Sequence, residues 1–309
     1  MKNLIDELTP EEIAAGDVAI TSELVPWHFP MMNDNVRNDA YEKALKAALT
    51  NGGTVLDIGS GSGLLSMMAA RHGASHITTC DFVEMVAEKA KIITARNGFA
   101  DKIQVINKLS TTLVPGIDFP ERADILVTEI FDNGLLGEHA LVAIEHARKH
   151  LLKPNAQLIP CGARVYAMCI ESSEIYKNHR VETVSGFDLS PFNQFSSFEY
   201  SGYHIEKSEH KALSKIASIF EFDFLKDTKD ESNEITFEVT QSGLCHAVVY
   251  WYELQLDKDT IISTAPYLPQ LSCWKQAVEL LPKPMNLTKG ETFKLVAHHD
   301  NEAIWFTRS

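Results

Sequence analysis

A strand-like run that leads into three glycines, VLDIGSGSG at residues 55–63, restricts the fold of this chain more than any other stretch. A helix-like segment, GLLSMMAARHG, follows it directly. A glycine turn between a strand and a helix lets the backbone approach a ligand closely. The stretch therefore predicts a ligand-binding turn in an α/β domain, and the alternative is a tight turn without a ligand.

Strand-like and helix-like segments alternate through about residue 159. The segments HITTCD, KIQVIN and ADILVTEI resemble strands, while helices are predicted for DNVRNDAYEKALKAAL, from Val83 to Asn97, and from Glu138 to a stop at Lys153-Pro154. Such alternation indicates βαβ units and a parallel sheet. We predict a helical segment at residues 1–50 and a Rossmann-like domain at residues 51–159.

The pattern changes near Pro160. Six strand-like runs follow residue 210, with turn-type breaks between them and little helical periodicity. They predict an antiparallel, β-barrel-like domain at residues 160–309, so that the whole chain is of the α/β class. Residues 172–210 are polar and aromatic without a core-like period, which predicts an arm that docks elsewhere.

The residues around the glycine turn favour one kind of ligand. A dinucleotide site prefers GxGxxG, but Leu64 occupies the place of the last glycine. An acid inside the strand end would repel a pyrophosphate, whereas it suits the cationic amino-acid part of S-adenosylmethionine. Asp81, at the end of the next strand, is placed to accept hydrogen bonds from both ribose hydroxyls. The predicted cofactor-binding residues of this region are Asp57, Gly59, Gly61, Gly63 and Asp81.

Composition limits the partners and the compartment. The formal net charge is −14, from 42 acidic and 28 basic residues, which disfavours nucleic acid and anionic membranes and attracts cationic partners; acidity for solubility alone is the alternative. Five scattered cysteines without a CxxC pair indicate a reducing compartment, so we predict a cytoplasmic protein, with the nucleus possible. Neither a secretory signal nor an apolar run of about 20 residues is present.

A second motif lies at Thr128 to Glu138, TEIFDNGLLGE, after the strand-like ADILV. Glu129 and Glu138 are nine positions apart with two glycines between them, and the glycines would let the loop turn back so that both carboxylates face one site. The alternative is a surface loop with two solvated acids, the second favoured by the start of a helix.

Together these motifs resemble the protein arginine N-methyltransferases. The two glutamates match the double-E loop of that family, and NDNVRNDAY, NGFADKIQVINKLS and LIPCGARVY extend the resemblance over most of the chain. FDNGLLGE and LVAHHD look most like the divergent subfamily numbered seven, with the one numbered nine next. Members of subfamily seven usually contain two such halves, and this sequence has one.

The resemblance implies S-adenosylmethionine-dependent methyl transfer to arginine. A guanidinium is a poor nucleophile because its lone pair is delocalised, and two carboxylates can grip it through charge-assisted hydrogen bonds. We assign Glu129 and Glu138 to binding and activating this group. We expect Glu129→Gln and Glu138→Gln to abolish transfer while cofactor binding survives.

Further site residues follow from the resemblance alone. Arg37 matches the family arginine that pairs with the cofactor carboxylate, with a solvated helix arginine as the alternative. His28 and Met31 match residues near the cofactor, although either type is often core filler. Ser110 falls where the family contacts adenine, without the usual acid beside it.

Two departures from the family pattern stand out. The N-terminal tyrosine-rich motif is replaced by ITSELVPW, and the Thr-His-Trp position reads Ser272-Cys273-Trp274. A cysteine does not mimic imidazole near neutral pH unless its pKa is strongly shifted. Trp274 is expected to wall the arginine pocket through cation–π contact. Adjacent histidines in HHD at 298–300 point to opposite faces of a strand, so no metal is expected.

Three functions remain open from the sequence. The first is methylation of cationic, Arg/Gly-rich proteins, the second is methylation of a small molecule, and the third is a catalytically weak scaffold. Family members commonly pair through an arm of the barrel domain, so we expect a homodimer that uses residues 172–210.

Overall fold

The computed structural model describes residues 28–196, 200–268 and 273–308. It begins with two helices, α1 (His28–Met32) and α2 (Asn35–Ala48). The Asp34 carboxylate caps α2 by accepting the N–H of Arg37 at 3.0 Å. The helix predicted for DNVRNDAYEKALKAAL is confirmed, whereas the rest of the predicted helical segment, including ITSELVPW, lies outside the described residues.

Five parallel strands form one sheet in the order β3-β2-β1-β4-β5. They are β1 (Thr54–Ile58), β2 (His76–Asp81), β3 (Ile103–Asn107), β4 (Ala123–Thr128) and β5 (Leu152–Ile159). The helices of this part are α3 (Leu64–Arg71), α4 (Glu84–Arg96) and α5 (Ala140–His146). Because β1 and β4 are neighbours at the point where the strand order reverses, the loops that follow them meet at one edge, where ligands bind in such sheets.

The helix predicted from Glu138 to Leu152 differs from the structure at both ends. It begins at Ala140, after His139 adopts a left-handed backbone with φ 57°, so Glu138 belongs to the preceding loop. A π-helical turn at Ala147–Leu151 continues it. Lys153-Pro154 lies within β5 and ends no helix; β5 is an edge strand, where proline is tolerated.

The second half of the chain is antiparallel, as predicted. One sheet has seven strands, with β10-β6-β13-β15-β9 in order and β11 and β14 attached, and a second has three, in the order β12-β16-β17. The strands are β6 (Gly162–Glu171), β9 (Ser201–Tyr203), β10 (Lys211–Ala212), β11 (Ala217–Asp223), β12 (Glu231–Glu238), β13 (Gly243–Asp257), β14 (Thr260–Ser263), β15 (Gln276–Leu287), β16 (Thr292–His299) and β17 (Ile304–Arg308). The predicted fold class, a Rossmann-like domain followed by a curled antiparallel domain, is confirmed; the boundaries near residues 50 and 160 stay predictions.

The segment at 172–210 is only partly the separate arm that the sequence predicts. Its β9 pairs with β15, and its Ile175 and Ile205 are fully buried, so these parts belong to the barrel half. The segment also contains α6 (Ser173–His179), a hairpin of β7 (Thr183–Val184) and β8 (Phe187–Asp188), and two short 3-10 helices. Phe187, Phe192 and Phe195 are 71%, 68% and 72% exposed. Another protein surface can therefore pack against these three side chains.

Several classes of feature are absent from the described part of the chain. None of its helices is both long and apolar enough to cross a bilayer. Its histidines, cysteines and acids form no group of three or more that could hold a metal ion. All five cysteines are free thiols.

Candidate active site

The glycine turn lies against the end of β2. The N–H groups of Gly59 and Ser60 donate to the Cys80 carbonyl at 3.0 and 2.9 Å, and that of Gly61 donates to the Asp81 carboxylate at 3.1 Å. The strand, turn and helix predicted here are confirmed. The backbone hydrogen bonds thus hold the turn and the predicted ribose acceptor Asp81 side by side.

Asp57 lies at the end of β1 and is 1% exposed. Its Oδ2 accepts the hydroxyl of Ser66 at 2.6 Å, a partner that the sequence did not indicate. Its Oδ1 is buried and has no hydrogen-bond partner in the described structure. Burial raises the pKa of this carboxyl to about 7. A buried acceptor without a donor fits the ammonium group of S-adenosylmethionine.

Gly61 and Gly73 permit a matched test of the turn. Both have a left-handed φ, 49° and 96°, and a Cβ on either would meet nothing within 4 Å. Alanine therefore costs a similar strain, about 1–2 kcal/mol, at each position, and the two variants should unfold at similar temperatures. Only Gly61→Ala should weaken S-adenosylmethionine binding in calorimetry, by roughly tenfold or more, because a methyl group blocks close approach of the ligand. Equal affinities would contradict the assignment.

Asp132 shapes the loop between the two glutamates. One of its carboxylate oxygens accepts the N–H groups of Gly134 and Gly137, each at 3.1 Å. A Cβ on Gly137 would collide with that carboxylate. The positive φ angles of the loop belong to Leu135 (79°) and His139 (57°). The predicted reason for these glycines is therefore corrected: Gly137 is needed for close approach, and other residues provide the unusual backbone angles.

The barrel half holds the same loop from the other side. The Tyr200 hydroxyl donates to the Asp132 carboxylate, and the Tyr252 hydroxyl donates to the Asp132 carbonyl at 2.9 Å. The Trp274 indole N–H donates to the carbonyl of Phe131 at 3.0 Å, and Trp274 is only 6% exposed. Trp274 thus anchors the loop, while its predicted stacking on an arginine stays a prediction.

Cys273 is tied to the start of α2. Its N–H donates to the Asp34 carboxylate at 2.8 Å. Burial, with repulsion from Asp34 and Glu129, raises the pKa of the thiol to about 12. The thiol is therefore neutral and replaces no imidazole base. Ser272 lies outside the described residues.

Arg37 and Glu129 form a buried ion pair. The Arg37 Nε and Nη2 atoms lie 3.0 and 2.5 Å from the same Glu129 oxygen. The two side chains are 5% and 4% exposed. The sequence assigns Arg37 to the cofactor and Glu129 to the substrate, and the structure joins the two groups. Glu129 therefore also positions Arg37, so the expectation that Glu129→Gln leaves cofactor binding intact is revised.

Glu138 differs from Glu129 in its surroundings. Solvent reaches it, and its carboxylate forms no hydrogen bond or ion pair with any described residue. Partial burial raises its pKa to about 7, and repulsion from Glu129, Asp132 and Asp81 adds to the shift. Since all three carboxylates repel the charge of Glu138, the four groups lie in one region. A region with this much negative charge favours a cation as its ligand.

The remaining predicted residues are His28, Met31 and Ser110. His28 and Met31 are half-buried on α1. Burial raises the pKa of both Asp81 and Glu129, and interaction with His28 opposes that rise at each carboxyl, so His28 lies near the turn and the glutamate loop. Ser110 is 5% exposed and opens a 3-10 turn shortly after β3. Contacts of Met31 and Ser110 with a cofactor stay predictions.

The raised pKa values of Asp57 and Glu138 predict that the stabilisation of the fold by S-adenosylmethionine depends on pH. Their folded pKa values of about 7 exceed the ordinary values of about 3.9 and 4.3. The folded protein therefore binds more protons than the unfolded chain between about pH 4 and 7, and the free energy of unfolding falls as pH rises through that window. An ammonium group bound beside Asp57 stabilises the charged carboxylate, and it therefore offsets the part of this fall in stability that Asp57 causes. Thermal unfolding should show a larger stabilisation by S-adenosylmethionine at pH 8 than at pH 5.5, and an equal or smaller gain at pH 8 would contradict this.

Both halves of the chain match known families. Residues 162–308 match the arginine methyltransferase oligomerization subdomain, and residues 41–163 match the ribosomal protein L11 methyltransferase (PrmA) family. An arginine N(omega)-methyltransferase of Streptomyces achromogenes subsp. streptozoticus is 38% identical over 87% of this chain and 74% of its own length. Protein arginine N-methyltransferase 7 of Danio rerio is 33% identical over 90% of this chain, which spans only 45% of that relative.

Solved structures agree with these matches. The Trypanosoma brucei PRMT1 enzyme-prozyme heterotetrameric complex with AdoHcy superposes with a TM-score of 0.78 at 26% identity, over 87% of this chain and 86% of that one. Arabidopsis thaliana protein arginine methyltransferase 10 shares the fold, with a TM-score of 0.73 at 20% identity over 90% and 96% of the two chains. The chain therefore belongs to the protein arginine N-methyltransferase family and is an S-adenosylmethionine-dependent methyltransferase.

Proposed function

We propose that the protein transfers the methyl group of S-adenosylmethionine to a terminal guanidinium nitrogen of arginine residues in proteins. The observation that carries this proposal is Glu138, a carboxylate without a partner that shares one region with Glu129 and Asp81. A guanidinium remains charged at every physiological pH, so its charge complements these carboxylates. It is also a poor nucleophile and must be oriented in order to react.

The two glutamates have unequal parts in the proposed site. Arg37 already occupies one oxygen of Glu129 and donates to Asn38 at 2.8 Å. Three of its five N–H groups are thus engaged, and two remain for the cofactor carboxylate. Glu138 is unengaged and supplies the main grip on the substrate.

The proposed reaction is an in-line displacement. Holding the nitrogen about 3–3.5 Å from the sulfonium methyl carbon lowers the barrier by orientation. The carbon–sulfur bond breaks as the carbon–nitrogen bond forms, S-adenosylhomocysteine leaves, and the nitrogen loses a proton. With a pKa near 7 and contact with solvent, Glu138 is suited to receive that proton and pass it to water.

Free arginine is a second candidate substrate. The Streptomyces relative, which this chain covers over 74% of its length, is named an arginine rather than a protein arginine methyltransferase. Transfer of labelled methyl groups to an Arg-Gly-rich peptide, to free L-arginine and to a metabolite panel separates the two. We expect the peptide to be preferred. Labelling of L-arginine alone would reassign the substrate, and no labelling of any acceptor would favour a scaffold.

We also propose a homodimer formed through residues 172–210. The exposed Phe187, Phe192 and Phe195 supply an apolar surface there. The match to an oligomerization subdomain and the heterotetrameric structural relative support assembly. A net charge of −14 would steer cationic Arg/Gly-rich segments toward such a dimer. A monomer in sedimentation at micromolar concentration, with full activity, would count against the dimer.

A further inference from the structure

A cavity of about 300 Å³ lies in the barrel half between β15, β17 and the start of the 172–210 segment. Its walls are mostly apolar or aromatic and include Val278, Leu280, Pro282, Trp305 and Phe306. Among the described residues that line it, Glu279 is the only one with a carboxylate. We call this space the Glu279 cavity. Its volume is at the lower end of the range for small-ligand pockets.

The Glu279 carboxylate is incompletely satisfied. Its Oε1 accepts the N–H of Phe306 at 3.1 Å, and it makes no other hydrogen bond or ion pair within the described residues. Burial raises the pKa of this carboxyl to about 8. A glutamine would cap the same N–H without this cost, so the structural contact alone does not account for an acid here.

Among the described residues, no cation forms an ion pair with Glu279. Arg180 also lines the cavity, but its guanidinium donates to the His179 carbonyl at 3.1 Å and to the Ser196 hydroxyl, and it forms no ion pair with Glu279. The His179 ring bonds to the Tyr203 hydroxyl at 2.8 Å. Burial, with repulsion from Arg180, lowers the pKa of His179 and so disfavours a charge on this ring.

The cavity is connected to the glutamate loop by consecutive residues. Ser201 lines it, and the preceding residue, Tyr200, donates its hydroxyl to Asp132 within the loop. The wall of the cavity at Ser201 is thus one residue away from a side chain that holds the glutamate loop.

We propose that the Glu279 cavity binds a guanidinium group, supplied by a second arginine of the same substrate. The carboxylate offers charge-assisted hydrogen bonds, and the mostly apolar and aromatic lining suits a flat, weakly hydrated cation. The substrate as the source rests on the proposed function, whereas guanidinium binding itself does not.

The first experiment compares two peptides with the full-length protein. One carries a single arginine and the other a second arginine a few residues away, and methyl transfer is measured with Glu279→Gln and with Glu291→Gln. Glu291 is an exposed acid of the barrel half, so its replacement removes the same charge outside the cavity. We expect the second arginine to lower KM about tenfold in wild type and Glu291→Gln, and to have no effect in Glu279→Gln. If Glu279→Gln weakened methyl transfer equally for both peptides, the cavity would not be a subsite for the second arginine of the substrate.

The second experiment uses ethylguanidinium as the probe and does not depend on methyl transfer. Binding is measured by NMR in Glu138→Gln, which removes the competing grip, and in the same protein with Glu279→Gln added. Binding that is lost only in the second protein supports the cavity. If ethylguanidinium binds in this way but the one-arginine and two-arginine peptides have the same KM, the cavity takes its cation from a free small molecule and the substrate is overturned as the source. Absence of binding in both proteins, together with no peptide effect, would overturn the proposal.

Discussion

Glu138→Gln should lower kcat/KM for an Arg-Gly-rich peptide by about 10²–10³-fold, the cost of removing one electrostatic group that contacts the reacting centre. Glutamine keeps the shape and an acceptor oxygen but removes the charge that attracts and aligns the guanidinium. Because the carboxylate has no partner in the described structure, nothing else is broken. Labelled methyl transfer under single-turnover conditions measures the effect.

The same variant should keep its fold and its cofactor. Folding destabilises the charged form of Glu138 relative to the unfolded chain, so the amide should leave the unfolding temperature at pH 7 unchanged or slightly raised. S-adenosylmethionine affinity should match that of wild type, and Glu291→Gln serves as the control for one lost charge. Activity within twofold of wild type would remove Glu138 from the mechanism.

Glu129→Gln should behave differently, with a loss of stability of about 3–5 kcal/mol. The change leaves the Arg37 guanidinium buried at 5% exposure without its counter-charge. Cofactor affinity should fall with it, because Glu129 holds Arg37 in place. Urea unfolding and calorimetric titration of S-adenosylmethionine measure the two losses.

A double-mutant cycle separates this ion pair from other effects of the substitution. The cycle consists of Arg37→Met, Glu129→Met and the variant with both changes. The combined variant removes both buried charges, so most of the stability lost in either single variant should return while methyl transfer stays lost. A stability loss in Glu129→Gln below about 0.5 kcal/mol, as for an ordinary surface site, would show that the pair contributes little.

The features that the sequence could predict are those that depend on neighbouring residues. The apolar strand before 59–63 and the helix after it define the turn, and the nine-residue spacing identifies Glu129 and Glu138. Apolar runs with turn residues between them predicted most of the strands. The strand β15 was missed because Pro282 and Pro284 interrupt its pattern.

The features that the sequence could not predict depend on contacts between distant segments. Arg37 and Glu129 are 92 positions apart, and Asp132 and Tyr200 are 68 apart. Only folding shows that one arginine neutralises one glutamate and leaves Glu138 unpaired. Burial of Trp274 likewise depends on the packing of the barrel half against the glutamate loop.

A crystal structure with S-adenosylhomocysteine and an arginine peptide tests the account most directly. We expect the substrate guanidinium within about 2.7–2.9 Å of the Glu138 carboxylate, with Glu129 bridging it to Arg37 and the sulfur of the cofactor product in line with a terminal nitrogen. An arginine bound elsewhere, with Glu138 turned to bulk solvent in the ternary complex, would contradict it.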